Sequence, residues 1–338
     1  MATQAVDFQT ARLALALAML ILTGTASSTC LAEDQPDAEG DTEPSTDALQ
    51  PSGRGHGSIS VGFQDSYVRG LRKDNATVVD SGNGRLRAIF FDVEYFFADA
   101  WSVHVGIPYV SNVFNGSPHC PTTRPPQCQN VPPLDPQHPE SKFQDDGRYH
   151  GTWQDWNLGV AWHTAVFGNY LLTPSLDLHV PSHDYVFFSN AAAGPGYSQL
   201  EAAFELAHQF DFTNLYYRVR YGYTATEHVL DTRMNFSRLE LEFGWFVDER
   251  LTLRSFATGK KGMGYTIAEL GPLTNHGTND YWYHHDQIVV HDYASLGVGA
   301  DYHFGDHYTL SGAFQKLIWG TSVSNFVYSA DVRLTRDF

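Results

Sequence analysis

Basic residues are scarce in this chain: 21 Lys and Arg stand against 38 Asp and Glu, a formal charge of −17 over 338 residues. A surface that binds a phosphate backbone needs the opposite balance, which excludes a nucleic-acid partner. Apolar runs are short. The one near the N-terminus, Leu13 to Leu22, falls short of a membrane-spanning helix. Cysteine occurs three times, at Cys30, Cys120 and Cys128, with no second close pair of the kind a zinc site uses. What abounds is Tyr, Phe, Trp and Gly, a composition suited to alternating strands and tight turns rather than helices. A chain of this length can be two soluble domains or one closed β architecture.

Arg12, the apolar run Leu13 to Leu22 and the small residues after it have the layout of a secretory signal peptide, expected over residues 1–32. Cleavage after Ala26, with Gly24 at −3, and after Ala32, with Cys30 at −3, both fit. Ser27-Ser28-Thr29 make a poor lipidation box before Cys30. Cys120 and Cys128, separated by seven residues in CPTTRPPQC, then read as a local loop-closing disulfide in an oxidising compartment. Residues 33–56 are acidic, rich in Pro, Ser, Gly and Asp and free of apolar periodicity, so a disordered leader without chemistry is expected there.

From Gly57 to Phe338 short connections alternate with longer ones. The short ones are Ala98–Ala100, Phe167–Asn169, Asp211–Asn214, Asp248–Arg250 and Gly305–Asp306. The longer ones run from Leu71 to Gly84, Asn112 to Thr152, Ser182 to Tyr197, Glu227 to Arg233 and Gly259 to Val290, with Gly320 to Ser324 a short member of the same side. Five turns and six loops in strict alternation separate twelve strands. Within strands the period is two: Trp101, Val103, Val105, Ile107 and Tyr109 oppose Ser102, His104 and Gly106, and Leu239, Leu241, Phe243 and Trp245 oppose Arg238, Glu240 and Glu242. Asp65 and Lys316 break the pattern by sharing a phase with apolar neighbours, each toward the loop side.

The last strand, Asn325 to Phe338, carries Phe326, Tyr328, Ala330, Val332 and Leu334 on one face and stops on an aromatic. A C-terminal strand ending in Phe resembles the signal by which bacterial outer-membrane barrels are recognised by their assembly machinery. The fold class expected is therefore all-β: a transmembrane antiparallel up-and-down barrel of twelve strands in the bacterial outer membrane, in contact with membrane lipid and lipopolysaccharide. Aromatics at strand ends, among them Tyr95, Phe97, Trp101, Tyr109, Trp162, Trp245, Tyr302 and Phe304, fit interfacial girdles.

With apolar faces outward, the lumen is expected to hold Asp92, Glu94, Asp155, Asp177, Glu201, Glu205, Glu240, Glu242, Asp301 and Asp331 facing Arg218, Arg220, Arg238, Arg254 and Arg333. Such rows fit a selective path for small-molecule solutes, and equally a cross-strand ion-pair network that fills a narrow barrel. Histidines gather at His276, His284, His285 and His291 beside Asp280, Asp286 and Asp292; adjacent His284 and His285 point apart when extended, so no metal site is assigned. The plainer reading is an exposed polar loop whose Tyr281, Trp282 and Tyr283 cap the mouth. No His-x-Ser pair lies on a strand, and neither catalytic residues nor a nucleotide or covalent cofactor is expected.

The C-terminal third resembles the outer-membrane family labelled "putative MetA-pathway of phenol degradation". Leu296-Gly297, Gly299, Tyr302, Gly320 and Phe338 stand where that family has a Leu-Gly-x-Gly-x-x-Tyr strand, a later Gly and a terminal Phe. The resemblance implies passive uptake of aromatic or other hydrophobic compounds. The alternatives are a plugged barrel acting through its loops in surface interaction and, behind it, an outer-membrane lipid hydrolase.

Overall fold

The computed structural model describes residues 53–115, 147–165, 170–187, 190–273 and 280–338. The signal segment and most of the leader, Cys120 and Cys128, the 167–169 turn and His276 lie outside the described residues.

The chain runs β1 (Gly57–Arg72), β2 (Val78–Ala98), β3 (Trp101–Asn115), β4 (His150–Trp153), β5 (Asp155–Trp162), β6 (Thr164–Ala165), β7 (Tyr170–Pro181), β8 (Gln199–Gln209) and β9 (Leu215–Thr226). A loop hairpin, β10 (His228–Val229) and β11 (Thr232–Arg233), precedes β12 (Phe236–Phe246) and β13 (Leu251–Gly262). Three short helices follow, α1 (Ile267–Leu273), α2 (Asp280–Tyr283) and α3 (His285–Ile288), and then β14 (Asp292–Phe304), β15 (Tyr308–Thr321) and β16 (Val323–Asp337). Because β4, β5 and β6 are one strand interrupted at Gln154 and His163, the wall is a closed antiparallel barrel of twelve strands. No helix among the described residues is long and apolar enough to cross a membrane, which says nothing of a barrel that crosses with strands.

Closure comes from β1, which pairs β2 on one side and β16 on the other. Phe338 N–H donates to the Gly57 carbonyl and Gly57 N–H to the Phe338 carbonyl, both at 2.9 Å, so the first and last barrel residues complete one ladder. Gly57 is required there: a Cβ would lie 2.5 Å from the Glu94 carbonyl oxygen and 2.7 Å from the Phe338 ring. Closure removes the sheet edges, whose rows of ladder groups would find no partner in hydrocarbon.

The period-two pattern sorts side chains as the outer-membrane architecture requires. Ile59, Val61 and Phe63 on β1, Ile89, Phe91 and Val93 on β2, and Leu239, Leu241 and Phe243 on β12 are exposed on the outer wall. Two aromatic girdles bound this belt. On the turn side Trp101 stacks on Trp162 at 5.9 Å and Phe304 on Tyr308 at 5.6 Å; on the loop side Tyr109 and Trp153 meet edge to face at 5.4 Å.

The loops depart from the expected boundaries. Strands extend beyond Leu71 and begin before Gly84, leaving a five-residue link from Lys73 to Thr77, because a bulge at Gly70 (φ 76°) lets pairing continue past the irregularity. Between β15 and β16 only Ser322 turns, with φ 52°. The histidine loop, Gly271 to Asp292, is not simply an exposed polar loop: Ile288, Val289 and Val290 are buried with Leu270 of α1 against Met234, forming a core of their own above the strands.

Inverting the wall chemistry at one point tests the orientation. Leu241→Arg, in the middle of the outer belt, is expected to cost about 2–4 kcal/mol, read as a lower urea midpoint for refolding into vesicles. Ser311→Arg, which points into the barrel, is expected to leave that midpoint unchanged.

A charged lumen beneath an inward loop

Strands β8, β9, β12 and β13 bring their inward residues into one ladder of charge. The register opposes Glu205 to Arg220, Arg220 to Glu240 and Glu242 to Arg218, with the polar side chains on the inner face. Glu201 is 2% exposed and accepts from Arg220, from Arg238 at 2.9 Å and from the Thr224 hydroxyl at 3.1 Å. Arg220 also reaches Asp177 at 3.5 Å, and Asp177 meets His104 Nε2 at 2.9 Å. A second run passes from Glu205 to Arg218 (3.3 Å), Glu242 (3.9 Å), Arg254 (3.4 Å) and Asp301 (3.1 Å). Arg238 lies 3.2 Å from Glu240, and Arg333 3.8 Å from Asp92. Holding this many charges on one inner wall is tolerable because each ion named here lies within 4 Å of an opposite one.

Glycines on the inner face let these side chains lie flat along the wall. A Cβ at Gly159 would come within 2.0 Å of His104 and 2.3 Å of Asp177, and one at Gly244 within 2.0 Å of Tyr216, whose hydroxyl donates to Glu242 at 2.9 Å. Space therefore remains in the middle. One cavity of about 570 Å³ is lined by Asp92, Glu94, His104, His163, Asp177, Glu201 and Arg238; another of about 540 Å³ is lined by Glu240, Glu242, Arg254, Asp331 and Arg333. Glu205, Arg218 and Arg220 line both, so the two cavities adjoin at these side chains.

The mouth is narrowed by the loop between β7 and β8. Tyr185 and Ala193 pack inside the barrel on Ala88 and Val110, the inward face of β2 and β3. Tyr185 donates to Asp155, and Asn112 Nδ2 donates to the Ala192 carbonyl at 2.7 Å. Burial and the neighbouring Asp155 carboxylate both push the Tyr185 phenol up, so it keeps its proton and remains a donor. The helical segment seals the loop from above, with Gln287 Nε2 donating to the Pro195 carbonyl at 2.5 Å.

No protein-family model matches the chain, and no curated protein is similar to it in sequence. Among solved structures, the COG4313 outer membrane channel from Pseudomonas putida F1 is similar with a TM-score of 0.64 at 11% identity, over 89% of this chain and 100% of that one. The translocator domain of the autotransporter NalP from Neisseria meningitidis has a TM-score of 0.46 at 10% identity, over 86% of this chain and 91% of that one. The NanC porin has 0.45 at 11%, over 83% and 98%. At 11% identity the first likeness is one of fold, and it agrees with the outward apolar belt. The chain is an outer-membrane β-barrel.

In this barrel the fifteen charged residues expected in the lumen do not act alike. Asp155 anchors the loop, Asp331 makes no ion pair among the described residues, and the rest lie in the ladder or, as Glu94, beside a histidine. The histidine loop holds no cluster of metal-ligating groups among the described residues; His284 Nδ1 contacts Gln287 at 2.5 Å and His291 Nδ1 contacts the Ser322 carbonyl.

One pairing escaped the sequence: Ser102 Oγ lies 2.9 Å from His163 Nε2, across two strands. A nucleophile–base pair needs an acid on the far imidazole nitrogen and access for substrate. Here Glu94 approaches the same Nε2 at 3.9 Å, Nδ1 faces the Thr173 hydroxyl at 3.5 Å, and Ser102 is wholly buried. The geometry is that of a packed polar contact.

Glu201 provides the test of the ladder. Arg220→Met should destabilise the barrel by about 1–3 kcal/mol in urea unfolding, because one of the partners of a buried carboxylate is lost. Combining it with Glu201→Gln, which removes the orphaned charge, should recover part of that loss.

Proposed function

We propose that this protein is an outer-membrane channel for passive uptake of small organic molecules that join an apolar, in particular aromatic, body to a polar or ionised group. The two adjoining cavities lined by paired charges carry the reading. Side chains held to the wall by ion pairs leave a central space, and paired rows present a transverse field in which a small dipolar or ionised solute can exchange water for fixed partners. Phe96 and Phe256, which line the two halves of that space, supply apolar contact for a ring. The resemblance of the C-terminal third to the phenol-degradation family supports the same solute class. Carboxylates outnumber guanidiniums two to one among the fifteen residues, which favours cations and neutral solutes over simple anions.

Transport is diffusion down a gradient, and the loop between β7 and β8 is the gate. Tyr185, tied to Asp155, is its latch. A second reading, a plugged barrel that acts through its loops, draws on the same contact, since Tyr185 and Ala193 are buried against the wall. Lipid hydrolysis has no comparable support, given the buried Ser102.

Single-channel recording in planar bilayers separates the two. Discrete conductance steps that phenols and aromatic acids block are expected, with longer openings in Tyr185→Phe, which loses the latch hydrogen bond. Reversing Arg218 and Arg220 to Glu should shift the reversal potential toward cations. Silence from both wild type and Tyr185→Phe, each shown to be folded by heat-modifiable gel mobility, would decide for the plugged barrel.

A further inference from the structure

The outer wall carries a basic strip that the channel reading does not use. Strands β15, β16, β1 and β2 stand side by side, and their register aligns outward residues in rows. One row runs Phe314, Ala330, Asp65, Arg87 and Ser111; the next toward the loops runs Tyr328, Tyr67, Arg85 and Val113, with Lys316 two residues beyond Phe314 on the same face. Arg69, opposite Asn83, lies one step higher. Four cations and one acid thus share the loop-side end of a wall in a chain whose formal charge is −17.

The strip is organised rather than scattered. Asp65 binds Arg85 with two hydrogen bonds, of 2.6 and 2.8 Å, and holds Arg87 Nε at 3.4 Å, while the Tyr328 hydroxyl donates to it at 3.0 Å. The Arg87 guanidinium lies over the Tyr149 ring, 5.0 Å from its centroid. Both arginine side chains stay about two-fifths exposed, and Arg69 and Lys316 have no acidic partner among the described residues. Directly below lies Val332, Phe63, Ile89 and Trp153, the edge of the apolar belt. Cations in hydrocarbon are costly, so a strip at this height belongs to the headgroup layer.

We propose that this strip docks the phosphate groups of an outer-leaflet glycolipid of the lipopolysaccharide class, whose acyl chains run down over Phe63, Ile89 and Val332. Arginine forks suit phosphate oxygens, and Asp65 fixes two of them so that little side-chain freedom is lost on binding.

The test uses the folded protein in zwitterionic detergent, titrated with diphosphorylated lipid A and followed by native mass spectrometry. Each cation near an anionic lipid surface is worth about fivefold in affinity, so Arg69→Gln, Arg87→Gln and Lys316→Gln together should weaken binding roughly 100-fold. Charge-conserving replacements, Arg69→Lys, Arg87→Lys and Lys316→Arg, should retain most of it. Equal binding of phosphate-free lipid A, or a triple neutral variant that binds as tightly as wild type, would overturn the proposal. So would inorganic phosphate binding as tightly as the lipid, since the acyl contacts would then contribute nothing. If the triple variant does not fold, Lys316→Glu, which disrupts no ion pair, should weaken binding about 25-fold.

Discussion

In hydrocarbon an unpaired backbone amide costs several kcal/mol, and the pairing of β1 with β16 removes the two sheet edges that would expose rows of them. The exchange of hydrogen bonds between Gly57 and Phe338 is the end of that seam. Once the sheet is closed, strand number sets the bore, and the two faces of every strand become an outside and an inside. The apolar face must then be the exposed one, and whatever charge the chain carries in its strands is confined to the lumen or to the interfacial rims.

That confinement explains the form of the ladder. Ten carboxylates and five guanidiniums inside one narrow barrel would repel or collapse unless register set opposite signs side by side, as it does for Glu205 with Arg220 and Arg218 with Glu242. Inner-face glycines such as Gly159 and Gly244 complete the arrangement by giving the long side chains somewhere to lie. Two cavities remain below, while above them a loop enters far enough to bury Tyr185. Wall and inward loop are thus held differently: one by ladders, the other by a few side-chain contacts.

Outside the bore the same rule acts on fewer residues. Asp65 and Lys316, which break the period-two pattern, are not errors of register. They sit with Arg69, Arg85 and Arg87 where the wall leaves the hydrocarbon, and Asp65 finds its compensation in two arginines and a tyrosine.

Twelve strands, their facing and the girdles were legible because all three follow from local alternation, which hydrocarbon enforces residue by residue. Boundaries were less legible where pairing persists through a bulge, as at Gly70, or where polar-looking sequence hides a few buried residues, as with Leu270 and Ile288 in the segment between β13 and β14. Partner choice was not legible at all. That Ser102 meets His163, that Tyr185 reaches Asp155, and that Arg220 serves Glu201 and Asp177 together depend on strands brought together by register and closure, and on a loop whose path no periodicity records. The sequence by itself determined which residues face lipid and which face inward, since that is a property of each strand alone. Only the tertiary structure decided which inward charges neutralise one another and how far the mouth is closed, since those are properties of neighbours distant in the chain.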